Sequence, residues 1–280
     1  MKRVVALTSL PLLLTLVLAP VAGAGDDNSC PWRARASVVQ GSDYTLDDIA
    51  EEVEFGKQVA ARILGQHQLV RTPALQRYVS LVGTSLAAHS SRPELKFRFA
   101  VVESSQVNAY STPGGYVFVT TAALDLMKSE AELAGVLAHE IAHVSERHLV
   151  KDLNIRGSDT SGVSSILAII GGATDAARIA FTQAVDKAVD VLFRDGYKQA
   201  DEMQADEQAV SLTALAGYDP AGLESYLSRV AEQKAPVGKS YPRYDTRLEL
   251  IRAARAGEGV PAGFGRQGAE RFAAALRQQK

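Results

Sequence analysis

"ELAGVLAHEIAHVSERHLVK", from Glu132 to Lys151, holds three of the five histidines in a chain of 280 residues. Its reading decides both fold and chemistry, because His139, Glu140 and His143 are either a metal-binding triplet or a polar seam on a buried helix. Four steps of 100° bring a helical side chain back to the same face, so His139 and His143 stand one above the other. Two imidazoles so placed can hold one zinc ion at bond lengths of ~2.0–2.1 Å. Glu140, one step round, is turned away from that pair yet can reach a water on the metal's open position. His148 lies five residues past His143, and a continuing helix rotates it by about 140° from the same face. It is expected to be structural or to support a ligand, so the third ligand must come from another element.

The best source is "DEMQAD", where Glu202 and Asp206 are four residues apart on a later helix and share a face. One carboxylate can complete the metal shell while the other accepts a hydrogen bond from a ligating histidine and fixes its tautomer. Two histidines, a glutamate and a water make a catalytic zinc shell with an open position. Alone, an acidic pair on a helix is an ordinary solvated face.

The rest of the chain reads as mainly helical with a little strand. "DDIAEEVEFGKQVAARIL" returns Ile49, Val53, Val59 and Ile63 to one face, and "PALQRYVSLVGTSLAAH" starts a second helix at Pro73. "LKFRFAVVES" then alternates Phe97, Phe99 and Val101 with Lys96, Arg98 and Ala100, the period of a strand. In "QVNAYSTPGGYVFVTTAAL" the turn residues Pro113, Gly114 and Gly115 separate two extended runs, which predicts a hairpin just ahead of the histidine helix. That helix is predicted to begin after a capping box of Ser129 and Glu132 and to run to about Lys151. Residues 157–177 read as a loop or short hairpin. Helices resume through "FTQAVDKAVDVL", "YKQADEMQADEQAVSLTALAG" and "DPAGLESYLSRVAEQ", with a short helical tail at the end.

Composition excludes some functions. With 46% hydrophobic and 22% charged residues the chain can bury a real core, and a net charge of -2 leaves no electrostatic footprint for nucleic acid. The opening "MKRVVALTSLPLLLTLVLAPVAGA" has a basic start, an apolar run from Val4 to Leu18 and small residues at Ala22, Gly23 and Ala24. It is expected to be a secretory signal cleaved near Ala24, with an uncleaved membrane anchor as the alternative. The expected division is therefore a signal peptide over 1–24, a flexible leader over 25–43, the catalytic domain over 44–256 and a short helical tail over 257–280. Cys30 is the one cysteine, so neither an internal disulfide nor a cysteine-built zinc site is possible. Asp26, Asp27 and Asn28 precede it, which favours an incidental thiol over a lipidation point.

Taken together, "HEIAHVSERH", the later Glu202, Ala205 and Asp206, and "VNAYSTPGGYVFVT" resemble the zinc metallopeptidases that include the CAAX prenyl endopeptidase, the HtpX heat-shock protease and the mitochondrial Oma protease. Within them the chain looks like the bacterial periplasmic branch typified by the beta-barrel assembly-enhancing protease. The likeness runs from about Leu46 to Arg247. It implies an α+β, mainly α, gluzincin fold with a small antiparallel sheet or hairpin beside the histidine helix. It also implies one zinc ion per chain on His139, His143 and Glu202, Glu140 as general base, Asp206 behind a ligating histidine, and substrate paired along the strand at Asn108 and Ala109. The implied role is endopeptidase cleavage of unfolded or misfolded proteins in the periplasm, outer-membrane proteins among them, with peripheral membrane contact. A non-catalytic chaperone or binding module on the same fold is the alternative.

The chain departs from the family at two places. Gln199 stands where an arginine is usual, and Tyr241 and Pro242 precede Arg247 where relatives often carry His-Pro. That histidine can cap the metal, so a latent state is in question here. Tyr241 and Arg247 are the candidates for an oxyanion or gating role.

Overall fold

The computed structural model describes residues 44–155, 175–233, 243–259, 261, 264–265 and 267–277. The expected signal segment, the leader with Cys30, most of the 157–177 loop and Tyr241 lie outside the described residues.

Thr45 starts α1 (Leu46–Gln66) through a reciprocal capping box with Asp48, and Pro73, which has no N–H to lose in a first turn, opens α2 (Pro73–Ala87). Three short strands follow, β1 (Arg98–Val102), β2 (Ala109–Thr112) and β3 (Tyr116–Thr120). Next come α3 (Thr121–Leu126), α4 (Glu130–Ser145), α5 (His148–Asp152) and α6 (Asp175–Asp190), the last running into a π-turn over Val191–Asp195. The remaining described helices are α7 (Gln199–Leu215), α8 (Ala221–Glu232), α9 (Tyr244–Gly257) and α10 (Ala269–Arg277). Among the described residues, no helix is long and apolar enough to cross a membrane.

The predicted hairpin is present. β2 and β3 pair antiparallel with Ala109 opposite Val119, and their turn needs the positive φ of Gly114 and Gly115, 73° and 90°. A side chain at Gly114 would also lie 2.7 Å from Val53 Cα, so α1 rests directly on this turn. The sheet as a whole is mixed, which corrects the expected antiparallel one: its order is β1-β3-β2, and β1 runs parallel to β3. Alternation fixes which face of a strand is buried and says nothing of which strand lies beside it. Here residues 103–108 carry the chain to the far side of β3. Both faces are covered, since Phe99, Val101, Val117 and Val119 enter the core formed with α2 and α4, while Val102, Tyr110 and Phe118 face α1 and α6.

The histidine helix α4 is buried along almost its whole length, as a helix at the centre of a helical layer must be. Ser129 caps it by accepting from the Glu132 N–H at 3.2 Å. The Glu132 carboxylate does not close the expected box on Ser129; it accepts from the Lys128 N–H and from both Nη atoms of Arg229 on α8, each at 2.8 Å.

A second correction concerns the end of this helix. It stops at Ser145 instead of continuing to Lys151, because Arg147 takes a left-handed conformation at φ 58° and α5 restarts at His148. That conformation costs a non-glycine residue ~1–2 kcal/mol. What offsets it is Glu52 of α1, a fully buried carboxylate that accepts from Arg147 Nε at 2.9 Å and from Arg92 Nη1 and Nη2 at 3.3 and 3.2 Å. Both guanidinium groups also lie over the Tyr44 ring, 4.4 and 4.8 Å from its centre.

Candidate metal centre

α4 and α7 pack side by side and direct three donors at one point. His139 Nε2 and His143 Nε2 are 3.1 Å apart, Glu202 Oε2 is 3.5 Å from the first, and Glu202 Oε1 is 3.6 Å from the second. A tetrahedral ion with bonds of ~2.0–2.1 Å sets its ligand atoms ~3.3–3.4 Å apart, so the spacing fits. Among the described residues these three form the group able to hold a metal ion. Glu202 gives an independent sign of the same thing: it is fully buried, and neither carboxylate oxygen accepts a hydrogen bond. An ion pair with Arg247 Nη1 at 3.4 Å offsets part of the cost of burying this carboxylate, and both oxygens stay free of hydrogen bonds and open to a metal cation. Two imidazoles and a carboxylate are donors suited to zinc.

Geometry also separates the two carboxylates of "DEMQAD". Glu202 faces both Nε2 atoms, whereas Asp206 lies on the other side of His139, with Oδ1 3.0 Å from Nδ1. Asp206 is itself held by Arg247 of α9, whose Nε and Nη2 donate to it at 2.7 Å each. A proton on Nδ1, drawn there by a carboxylate 3.0 Å away, leaves the Nε2 lone pair of His139 for the centre. Arg247 Nη1 reaches within 3.4 Å of Glu202 Oε2, so one guanidinium spans both carboxylates.

The electrostatics follow from this burial. Desolvation alone would lift Asp206, but Arg247 and His139 outweigh it and hold the carboxyl at about 2. Burial likewise disfavours charge on His139, yet Asp206 and Glu202 raise it to about 9. His143, also buried and beside His139, is pushed well below its ordinary value. Burial lifts Glu140 to about 7; His139 and Ser111 oppose the rise and Glu202 adds to it. The Ser111 hydroxyl on β2 lies near enough to Glu140 to favour its charged form.

Two residues lie against His143 at positions that the sequence pattern did not signal. Tyr197 stacks on its ring, with centroids 4.0 Å apart and planes at 13°. His148, expected to be turned away, comes back to face His143 with the Nδ1 atoms 2.9 Å apart, because the break at Arg147 cancels the helical rotation. Asn108 turns its side chain onto its own strand, Oδ1 accepting from the Ala109 N–H at 2.9 Å. β2 pairs with β3 on one side and has no sheet partner on the other among the described residues.

Residues 73–255 match Peptidase family M48, a span that takes in His139, Glu140, His143, Glu202, Asp206 and Arg247. The chain belongs to peptidase family M48. This M48 chain is 27% identical over 234 residues to the putative beta-barrel assembly-enhancing protease of Vibrio cholerae, covering 82% of the chain and 48% of that protein. It is 26% identical over 191 residues to the beta-barrel assembly-enhancing protease of Escherichia coli K12, covering 66% and 38% respectively. Against the mitochondrial metalloendopeptidase OMA1 of Schizosaccharomyces pombe it is 29% identical over 163 residues, covering 58% and 46%. The M48 chain thus spans half or less of the length of these curated relatives.

Proposed function

We propose that the chain is a zinc metalloendopeptidase of the gluzincin type, holding one zinc ion on His139, His143 and Glu202 and cutting extended segments of unfolded or misfolded proteins. The convergence of two Nε2 atoms and a buried, unbonded carboxylate beside Glu140 is what carries this reading. A zinc ion bound there would polarise the scissile carbonyl and ease deprotonation of water. Glu140, with its carboxyl near pH 7, is matched to taking a proton from the attacking water and giving it to the leaving nitrogen. Asp206 orients His139, and Arg247 holds Asp206 in place. The open edge of β2 suits an extended peptide added as a further strand, starting beside Asn108 and Ala109. Tyr241 and Arg247 remain the candidates for an oxyanion or gating role, Arg247 having Nη1 3.4 Å from Glu202 Oε2. A chaperone without catalysis would have no use for Glu140.

The place of action we propose is the periplasm. The support is the signal-like pattern over 1–24 and relatives named for enhancing beta-barrel assembly. Outer-membrane proteins that fail to fold are then the natural substrates, with peripheral membrane contact and without nucleic acid. The peptidase domain would occupy 44–256, after a leader over 25–43 and before a helical tail over 257–280.

Metal analysis combined with casein digestion tests the reading. One zinc per chain is expected, with cleavage abolished by a chelator and restored by zinc, and Glu202→Ala should lose most of its zinc. Cleavage by metal-free protein, or full zinc occupancy in Glu202→Ala, would contradict it.

A further inference from the structure

His143 is half of the histidine pair, yet among the described residues no carboxylate stands at its Nδ1 as Asp206 stands at that of His139. Its Nδ1 meets another imidazole, His148 Nδ1, at 2.9 Å. A single proton lies between those two nitrogens, and which ring owns it decides whether His143 Nε2 has a lone pair to offer.

The surroundings of His148 answer the question. Its Nε2 lies 3.2 Å from Gln204 Oε1, and the amide of Gln204 cannot be turned round, because its Nε2 donates at 2.7 Å to Glu146 Oε2. A carboxylate only accepts, so the atom facing it must be the amide nitrogen and the atom facing His148 must be the amide oxygen. Asp201 Oδ1, 3.9 Å from the same His148 nitrogen, is a second acceptor there. His148 therefore carries its proton on Nε2 and presents a lone pair at Nδ1. His143 must then donate from Nδ1, which leaves its Nε2 lone pair directed at His139 Nε2 and Glu202.

We propose that Glu146, Gln204 and His148 are positioning residues that fix the tautomer of His143 and so prepare it to bind a metal. The inference rests on the reading of His143 as a ligand through Nε2. It gives a purpose to the left-handed residue Arg147: without the break there, His148 could not turn back onto the helix that carries His143. Glu146 caps the end of α4, His148 begins α5, and Gln204 sits on α7 two residues after Glu202. The relay thus ties together the helices that supply all three donors, and the stacked Tyr197 ring holds His143 in the plane that the hydrogen bond requires.

Such supports contribute ~10–100-fold to metal affinity. The test is zinc affinity of the full chain, by competition with a chromophoric chelator, for wild type, His148→Leu, His148→Asn and Gln204→Leu. Melting of the metal-free proteins shows that each is folded. The two leucine variants should bind zinc ~10–100-fold more weakly. His148→Asn should stay near wild type, because Asn Oδ1 can take the place of the imidazole Nδ1 as acceptor. Histidine-selective 15N NMR gives a readout that mere packing would not move. In wild type His148 should be protonated at Nε2 and His143 at Nδ1, and Gln204→Leu should shift His148 away from that form. Gln204 is exposed, so its variant keeps the test open should His148→Leu fail to fold. Wild-type affinity in folded His148→Leu, equal loss in His148→Asn and His148→Leu, or a wild-type His148 protonated at Nδ1 would overturn the relay. Zinc binding that survives His143→Ala unchanged would instead sink the ligand assignment, and the relay with it.

Discussion

Asp206→Asn is the change whose cost can be worked most fully from the geometry. The Asp206 and Arg247 side chains are 0% and 6% exposed and share two hydrogen bonds of 2.7 Å. Removing one partner of such a buried pair costs ~3–5 kcal/mol, because the other charge stays behind without compensation. Asparagine keeps one acceptor, and Arg247 keeps Glu202 at 3.4 Å, so the lower end applies. The carboxyl held at about 2 against an ordinary 3.8, by Arg247 and His139 against the pull of burial, points the same way. A loss of ~3 kcal/mol lowers Tm by ~6–12 °C in a domain of this size. It should be measured on metal-free protein, so that zinc does not mask it. Separately, His139 loses the carboxylate that holds its Nδ1–H, which should weaken zinc binding by ~10–100-fold. A Tm within 2 °C of wild type, judged against ~2–4 °C per kcal/mol, would show that Arg247 and Asp206 are not the strut described. Unchanged zinc affinity would refute the orientation of His139.

Two further changes probe the frame that carries the centre. A Cβ added in Gly222→Ala would lie 2.1 Å from the Ala131 carbonyl oxygen, so α8 must lift from α4; ~1–3 kcal/mol of stability should be lost in urea denaturation, with an unchanged midpoint as the contrary result. Glu130 accepts from Tyr78 Oη at 2.7 Å and from Arg271, and although burial pushes its carboxyl up, Arg271, Tyr78 and Tyr218 hold it below the ordinary 4.5. A depressed pKa means a stabilisation complete above 4.5 and lost as pH falls through the folded value. The stability gap between wild type and Glu130→Gln should accordingly be full at neutral pH and close in acid; a gap independent of pH would contradict this.

Much of the site was legible in the sequence because it depends on local periodicity. The four-residue spacing of His139 and His143, and that of Glu202 and Asp206, commits each pair to one face whatever the helices pack against. The turn at Gly114 and Gly115 and the cap at Ser129 are equally local. What the sequence hid depends on distant partners. Nothing near Arg147 signals a left-handed residue, since its cause is Glu52, 95 positions earlier. That glutamate is fully buried between two arginines, one of them more than ninety positions away in sequence. The same break hid the return of His148 to His143. Arg247 was singled out as an oxyanion or gating candidate, but its bidentate grip on Asp206 arises only where α9 docks on α7. The parallel pairing of β1 with β3 was hidden for a like reason, as two strands with the same alternation can adjoin in either sense.

The most direct measurement is the rate of peptide-bond hydrolysis by Glu140→Gln at full zinc occupancy, set beside wild type. The amide preserves the size of the side chain and leaves His139, His143 and Glu202 in place, but it cannot accept a proton from water. Zinc bound as in wild type, with turnover reduced by ~10²–10⁴-fold or more, is the predicted result. Near wild-type turnover in the zinc-loaded variant would contradict it.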